Sequence, residues 1–144
     1  MIDYIFMAKT KYKLIVPTWP AIIYIVLAII LLPWTIYLGV SLPAHYLSAH
    51  WDISWTGLDV GLIATMLVTG VLAYRRSRWI IISSTMVGSF LLVDAWFDVM
   101  SERGLTDFRQ SLILAIFVEL PLAFISYYIS YLALKDHPVS HPLK

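Results

Sequence analysis

Residues 18–39 read TWPAIIYIVLAIILLPWTIYLG, a stretch with no ionisable acid or base and one proline suited to a first helical turn, Pro20. A spanning helix needs roughly 20 mostly apolar residues at ~1.5 Å rise each, and this segment meets that length by itself. Three more runs follow the same pattern, at about 53–74, 79–100 and 108–134. None shows the period-two alternation of a barrel strand, and only helices or closed barrels satisfy their backbone in lipid. The expectation is an all-α protein, a bundle of four transmembrane helices forming a single membrane domain over 1–144.

Composition points the same way. Of 144 residues, 60% are hydrophobic and 13% charged, and the mean hydropathy is +0.82. Water-soluble domains are nearer half apolar and a quarter charged. The net charge of +1 gives no reason to expect nucleic acid as a partner. The absence of cysteine excludes disulfides, thiolate metal sites and thiol redox chemistry. The first thirteen residues lack the short apolar core and small-residue cleavage site of a signal peptide, so the first helix is expected to stay as an anchor. The connections are short except for residues 40–52, which hold Pro43, His45, Tyr46, His50 and Trp51 and are expected to form an interfacial segment. The tail, 136–144, is expected to be flexible.

Basic residues set the expected orientation. Lys9, Lys11, Lys13, Arg75, Arg76, Arg78, Lys135 and Lys144 fall on one side of a four-span topology, and only Arg103 and Arg109 on the other. By the positive-inside rule both termini are cytoplasmic, in the cell membrane, and the lipid bilayer is the first partner. Trp34, Trp51, Trp55 and Trp96 then gather at the outer interface, and Trp19 and Trp79 at the inner one.

Four carboxylates stand out against this apolar background: Asp59, Asp94, Asp98 and Glu119. Each costs roughly 2.5–3.5 kcal/mol at a helix centre, less towards the ends. No lysine or histidine lies inside the four helical stretches. All four carboxylates fall in the outer half of the expected bundle. Asp94 and Asp98, four apart, share a helix face with Ser83, Val87 and Phe90. Glu119 shares one with Ala115, Ala123, Ser126 and Ser130, small residues suited to close packing. Pro121 should free the Phe117 carbonyl beside Glu119. Asp59 shares a face with Trp55, Ile63, Met66 and Gly70. The opposite face holds Gly57, Gly61 and Ala64, a small-residue pattern that suits packing within the bundle or a homo-oligomer through Gly57 and Gly61.

The expected site is an acidic pocket rimmed by Trp34, Tyr37, Trp55, Trp96 and Phe97. Clustered carboxylates in a low-dielectric site cannot all ionise, so one or more keeps its proton or a cation binds. Oxygen donors at Asp59, Asp94, Asp98 and Glu119 suit a hard divalent metal; adding His45 or His50 would suit zinc or iron, although their spacing is not a metal motif. Aromatic walls would suit an organic cation. No phosphate loop, HExxH or G-x-S-x-G motif appears.

Three segments, Trp55-Thr56-Gly57-Leu58-Asp59, Asp94-Ala95-Trp96-Phe97-Asp98 and Glu119-Leu120-Pro121, resemble a family of small, uncharacterised four-helix membrane proteins of Gram-positive bacteria, especially actinobacteria. The resemblance spans roughly residues 42–121. It implies a four-helix bundle in the cytoplasmic membrane and brings no activity with it. Three function classes stay open. The leading one is a cation-binding membrane protein, its ligand a proton, a metal or an organic cation, with transport as an extension. The others are a non-catalytic accessory or immunity subunit, and a metal-dependent membrane enzyme acting on lipid or envelope substrates.

Overall fold

The computed structural model describes residues 18–42, 49–102 and 104–135. His45, the interfacial segment over 43–48 and the tail over 136–144 lie outside these residues. Four helices form the bundle: α1 (Trp19–Ser41), α2 (Trp51–Tyr74), α3 (Ile80–Ser101) and α4 (Leu105–Lys135). Each is long and apolar enough to cross a membrane. No strand element occurs among the described residues. The expected helices agree with these to within about three residues, the largest difference being the earlier start of α4. The surface of the bundle carries large apolar side chains such as Ile22, Ile29, Val40, Leu105 and Phe124, as contact with lipid tails requires. The chain is a multi-pass membrane protein by this criterion.

The helices pack in chain order, α1 on α2, α2 on α3 and α3 on α4. No Cα atoms of α1 and α4 lie within 8 Å of each other among the described residues. Their link is a side-chain hydrogen bond, in which the Tyr24 hydroxyl donates to Ser126 Oγ at 2.9 Å. Ser126 in turn donates to the Leu122 carbonyl, so its own hydrogen has a partner. On the α3–α4 side, Ser130 Oγ donates to the Ile81 carbonyl across the helix interface at 2.9 Å, and it sits 2.9 Å from Thr85 Oγ1.

Small residues let the backbones approach. Ala21, Ala28, Ala73, Ala123 and Ala133 lie in the core with Leu62, Ile63, Met66, Val87 and Leu91. Two glycines are needed for close contact. A Cβ on Gly70 would fall 2.7 Å from Ile25 Cγ1 and 3.1 Å from the Ala21 carbonyl on α1. One on Gly88 would meet the Tyr127 ring and the Ala123 carbonyl of α4 at 3.0–3.2 Å. Gly61 packs on Phe90 of α3, with its hypothetical Cβ 3.3 Å from the ring, whereas Gly57 faces open space. Of the expected small-residue pair, one member therefore serves the bundle and the other is uncovered.

Helix α4 is not α-helical throughout. Between its α-helical parts, Leu105–Leu114 and Leu120–Lys135, residues Ala115–Glu119 form a π turn. The Leu120 N–H reaches back five residues to the Ala115 carbonyl. The reason can be read from the buried positions. Ser111, Ala115, Glu119 and Ala123 recur every four residues, and in an α-helix each such step drifts by ~40° because a turn holds ~3.6 residues. The wider turn cancels the drift and keeps Glu119 inward. Pro121 follows at once and supplies no donor to the carbonyls of the preceding turn, so the irregularity falls where the helix has a bond to lose.

Candidate functional site

The site lies at the end of the bundle where α1 and α3 finish and α2 and α4 begin. A cavity of about 340 Å³ opens there, with every helix contributing to its lining. Trp34, Leu38 and Leu42 come from the end of α1, and Trp51 and Trp55 from the first turns of α2. Asp98, Ser101 and Glu102 come from the end of α3, and Asp107, Gln110, Ser111 and Leu114 from the start of α4.

Of the five expected rim aromatics, Trp34 and Trp55 line the cavity. Tyr37 packs on Trp34, with ring centroids 5.7 Å apart, and Phe97 meets Trp55 edge-on at 6.2 Å. They brace the lining rings from outside it. Trp96 is exposed on the surface of α3. Trp51 completes the aromatic wall, edge-on to Trp55 at 5.6 Å.

Below the cavity are the buried carboxylates. Asp59 is 3% exposed, and Asp94 and Glu119 are 9% each. Asp98 is half-buried and belongs to the cavity lining. The four lie within range of one another's charge: Asp94 interacts with Asp98, Glu119 and Asp59, and Asp98 and Glu119 each interact with Asp59. Among the described residues, the charges acting on Asp94, Asp98 and Glu119 are carboxylates. Asp98 thus joins the water-facing cavity to the buried group.

Their hydrogen bonds are few. Thr35 of α1 lies 3.1 Å from Asp59 Oδ2, and its hydroxyl also lies 3.0 Å from the Leu31 carbonyl. A hydroxyl has one hydrogen to give. If Thr35 gives it to Leu31, Asp59 can complete the chain only by donating a proton of its own. Glu119 is poorer still, since its Oε2 is buried and has no hydrogen-bond partner. Such an atom carries a desolvation penalty of about 1–3 kcal/mol.

Nearer the mouth, Glu102 lies just beyond the end of α3 and accepts a hydrogen bond from the Ser111 side chain. Burial first, and then the neighbouring Asp107 carboxylate, push Glu102 above the usual carboxylate range, with the Ser111 bond opposing them.

Among the described residues, no three histidine, cysteine, aspartate or glutamate side chains are placed to hold one metal ion. Asp59, Asp94, Asp98 and Glu119 interact through charge without converging as ligands. His50 sits before α2 with a left-handed φ of 62°, and its carbonyl accepts from the Ser54 N–H and hydroxyl.

Glu102, Asp107, Gln110, Ser111 and Thr35 were missed by the sequence reading. The first four lie within two turns of a helix end, where polar residues are ordinary. Thr35 is a common residue in a membrane helix, and nothing local marks it as the partner of Asp59. No protein-family model matches the chain, and no curated protein or solved structure matches it.

Proposed function

We propose that this is a multi-pass membrane protein whose intramembrane carboxylates Asp59, Asp94, Asp98 and Glu119 take up a cation from the cavity, and that the cation held by the buried group is the proton. The observation that carries this is Glu119 Oε2, an acidic oxygen shut away from water with no donor to meet it. Neutralising mutually repelling carboxylates in a low-dielectric interior needs positive charge, and among the described residues the charges acting on Asp94, Asp98 and Glu119 are negative. A divalent metal would require three or more oxygens at about 2.0–2.6 Å. A proton needs only one oxygen and a neighbour to receive it.

Asp98 supports an entry route because it faces both the cavity and the buried carboxylates. On the other side, Leu62, Met66, Val87 and Leu91 close the bundle with apolar packing. A site open at one end suits binding, buffering or proton-linked signalling; transport would require this packing to open or a second copy to complete a path. The distribution of lysine and arginine favours cytoplasmic termini and a cavity on the outer face of the cytoplasmic membrane. The segments that resemble a Gram-positive membrane family hold all four carboxylates, which suits a shared site.

Infrared spectroscopy of the purified protein tests the reading through the carbonyl band of protonated carboxyl groups. The wild type should keep such a band at neutral pH, and Asp94→Asn and Glu119→Gln should each reduce it. A wild type with no protonated carboxyl at neutral pH would refute proton uptake.

A second reading, the accessory subunit or homo-oligomer, has an observation of its own. Gly39, Ile53, Thr56, Gly57 and Val60 line a hollow with Asp52 on the outside of α1 and α2. Asp52 Oδ1 and Thr56 Oγ1 are buried there without hydrogen-bond partners. A helix from another chain could cover the hollow and supply donors. Mass measurement in mild detergent distinguishes the cases: a monomer that co-purifies with nothing speaks against this reading, and a dimer lost in Gly57→Ile supports it. No ligand set for a metal-dependent enzyme converges among the described residues.

A further inference from the structure

We infer that the cavity above the buried carboxylates is a binding site for an organic ammonium ion, held by Trp34, Trp51 and Trp55 against Asp98, Glu102 and Asp107. The inference extends the proposed cation uptake and rests on that reading for the role of Asp98.

The volume, about 340 Å³, is at the small end of ligand pockets and far exceeds the needs of a bare ion. Three acids from two helix ends line it, yet no three ligand groups converge on one metal position. Carboxylates spread around a volume of this size suit a cation several ångströms across, whose charge is shared over methyl or methylene groups. Such a cation is weakly hydrated and gains from aromatic faces, tryptophan best of all. The same lining offers three indoles, two of them held edge to face. Phe97 fixes the inner one, Trp55, from behind. Neither an anion nor a neutral sugar would be favoured beside three carboxylates when no basic residue lines the cavity among the described residues.

The cavity also spans the seam between α1 and α4, whose backbones do not approach closely. An ammonium can therefore arrive as a free ion from water or as a lipid headgroup from the bilayer. The recognition chemistry is the same for both.

The test is calorimetric titration of the full chain in maltoside micelles, which contain no ammonium group, with choline and with benzyltrimethylammonium. Saturable binding to the wild type is expected, weakened about tenfold in Asp98→Asn and in Trp34→Leu. Trp34 is half exposed on the rim, so its replacement leaves the bundle packing in place; circular dichroism checks both variants. Absence of saturable binding, or wild-type affinity in both variants, would overturn the inference. Adding phosphatidylcholine to the micelles separates the sources. Competition with choline assigns the site to a headgroup, and unchanged choline binding assigns it to a soluble ion; either supports an ammonium site. Asp94 lies outside the lining, so the infrared experiment on Asp94→Asn reports on proton uptake separately. Ammonium binding without a protonated carboxyl would remove the proton reading and leave this one standing.

Discussion

Replacing Glu119 by methionine should make the protein more stable while removing its function. The side chain is 9% exposed, its Oε2 has no partner, and the charges acting on it are those of Asp98 and Asp59. Leaving a buried polar oxygen unpaired costs about 1–3 kcal/mol, and methionine has similar length, no polar atom and enough freedom to fill the same space. Glu119→Met is therefore expected to gain about 1–3 kcal/mol, with Glu119→Gln gaining less because its amide brings donors that also need partners. Reversible unfolding by sodium dodecyl sulfate in mixed micelles, followed by circular dichroism and tryptophan fluorescence, measures the difference. Infrared spectra of the same samples should show the protonated-carboxyl band reduced. A loss of about 1 kcal/mol or more in Glu119→Met would refute the reasoning. It would mean that the carboxyl makes a stabilising interaction in the folded protein, and that its burial serves the fold.

Gly70→Ala should destabilise by about 1–3 kcal/mol through overpacking against Ile25 and the Ala21 carbonyl, while Gly57→Ala, with nothing near it, should stay within about 0.5 kcal/mol in the same unfolding assay. Tyr24→Phe should cost about 0.6 kcal/mol, a typical value for a side-chain bond between membrane helices, since Ser126 keeps its bond to Leu122. Glu102 gives a pH signature: its folded-state affinity for the proton is raised above the ordinary glutamate value of 4.5. Its contribution to stability is present in full below that value and is lost as pH rises through the higher folded one. Glu102→Gln should therefore show a smaller fall in stability over that range than the wild type, and an equal or larger fall would contradict the placement of Asp107 and Ser111 around it.

The four helices were readable because lipid imposes a length and a composition, and each segment meets both without help from its neighbours. The inward faces of Asp59, Asp94 and Glu119 were readable for a related reason. For Glu119, small residues at helical spacing mark where backbones meet and the same stripe carries the acid; for Asp59 and Asp94 the sign is the cost of leaving a carboxylate in lipid. The π turn was not readable. Pro121 announced a lost hydrogen bond, but its position did not say whether the helix would kink, lose one bond or widen. The choice came from keeping Ser111, Ala115, Glu119 and Ala123 on one side, which depends on α3 being there. The close contacts at Gly88 and the Thr35–Asp59 bond were hidden for the same reason, since each needs the order of helices around the bundle. That order cannot be deduced from any one segment.

The chain-order packing of the helices bears on how the protein is made. A helix entering the bilayer after its predecessor finds its main partner already in place, so α1 and α2 can pair as a hairpin before α3 has been synthesised. Each later helix then adds to an existing face. The Tyr24–Ser126 bond, between residues 102 positions apart, must wait until α4 has inserted. It is the clasp that closes last, and the cavity has all of its walls only once α4 is in position.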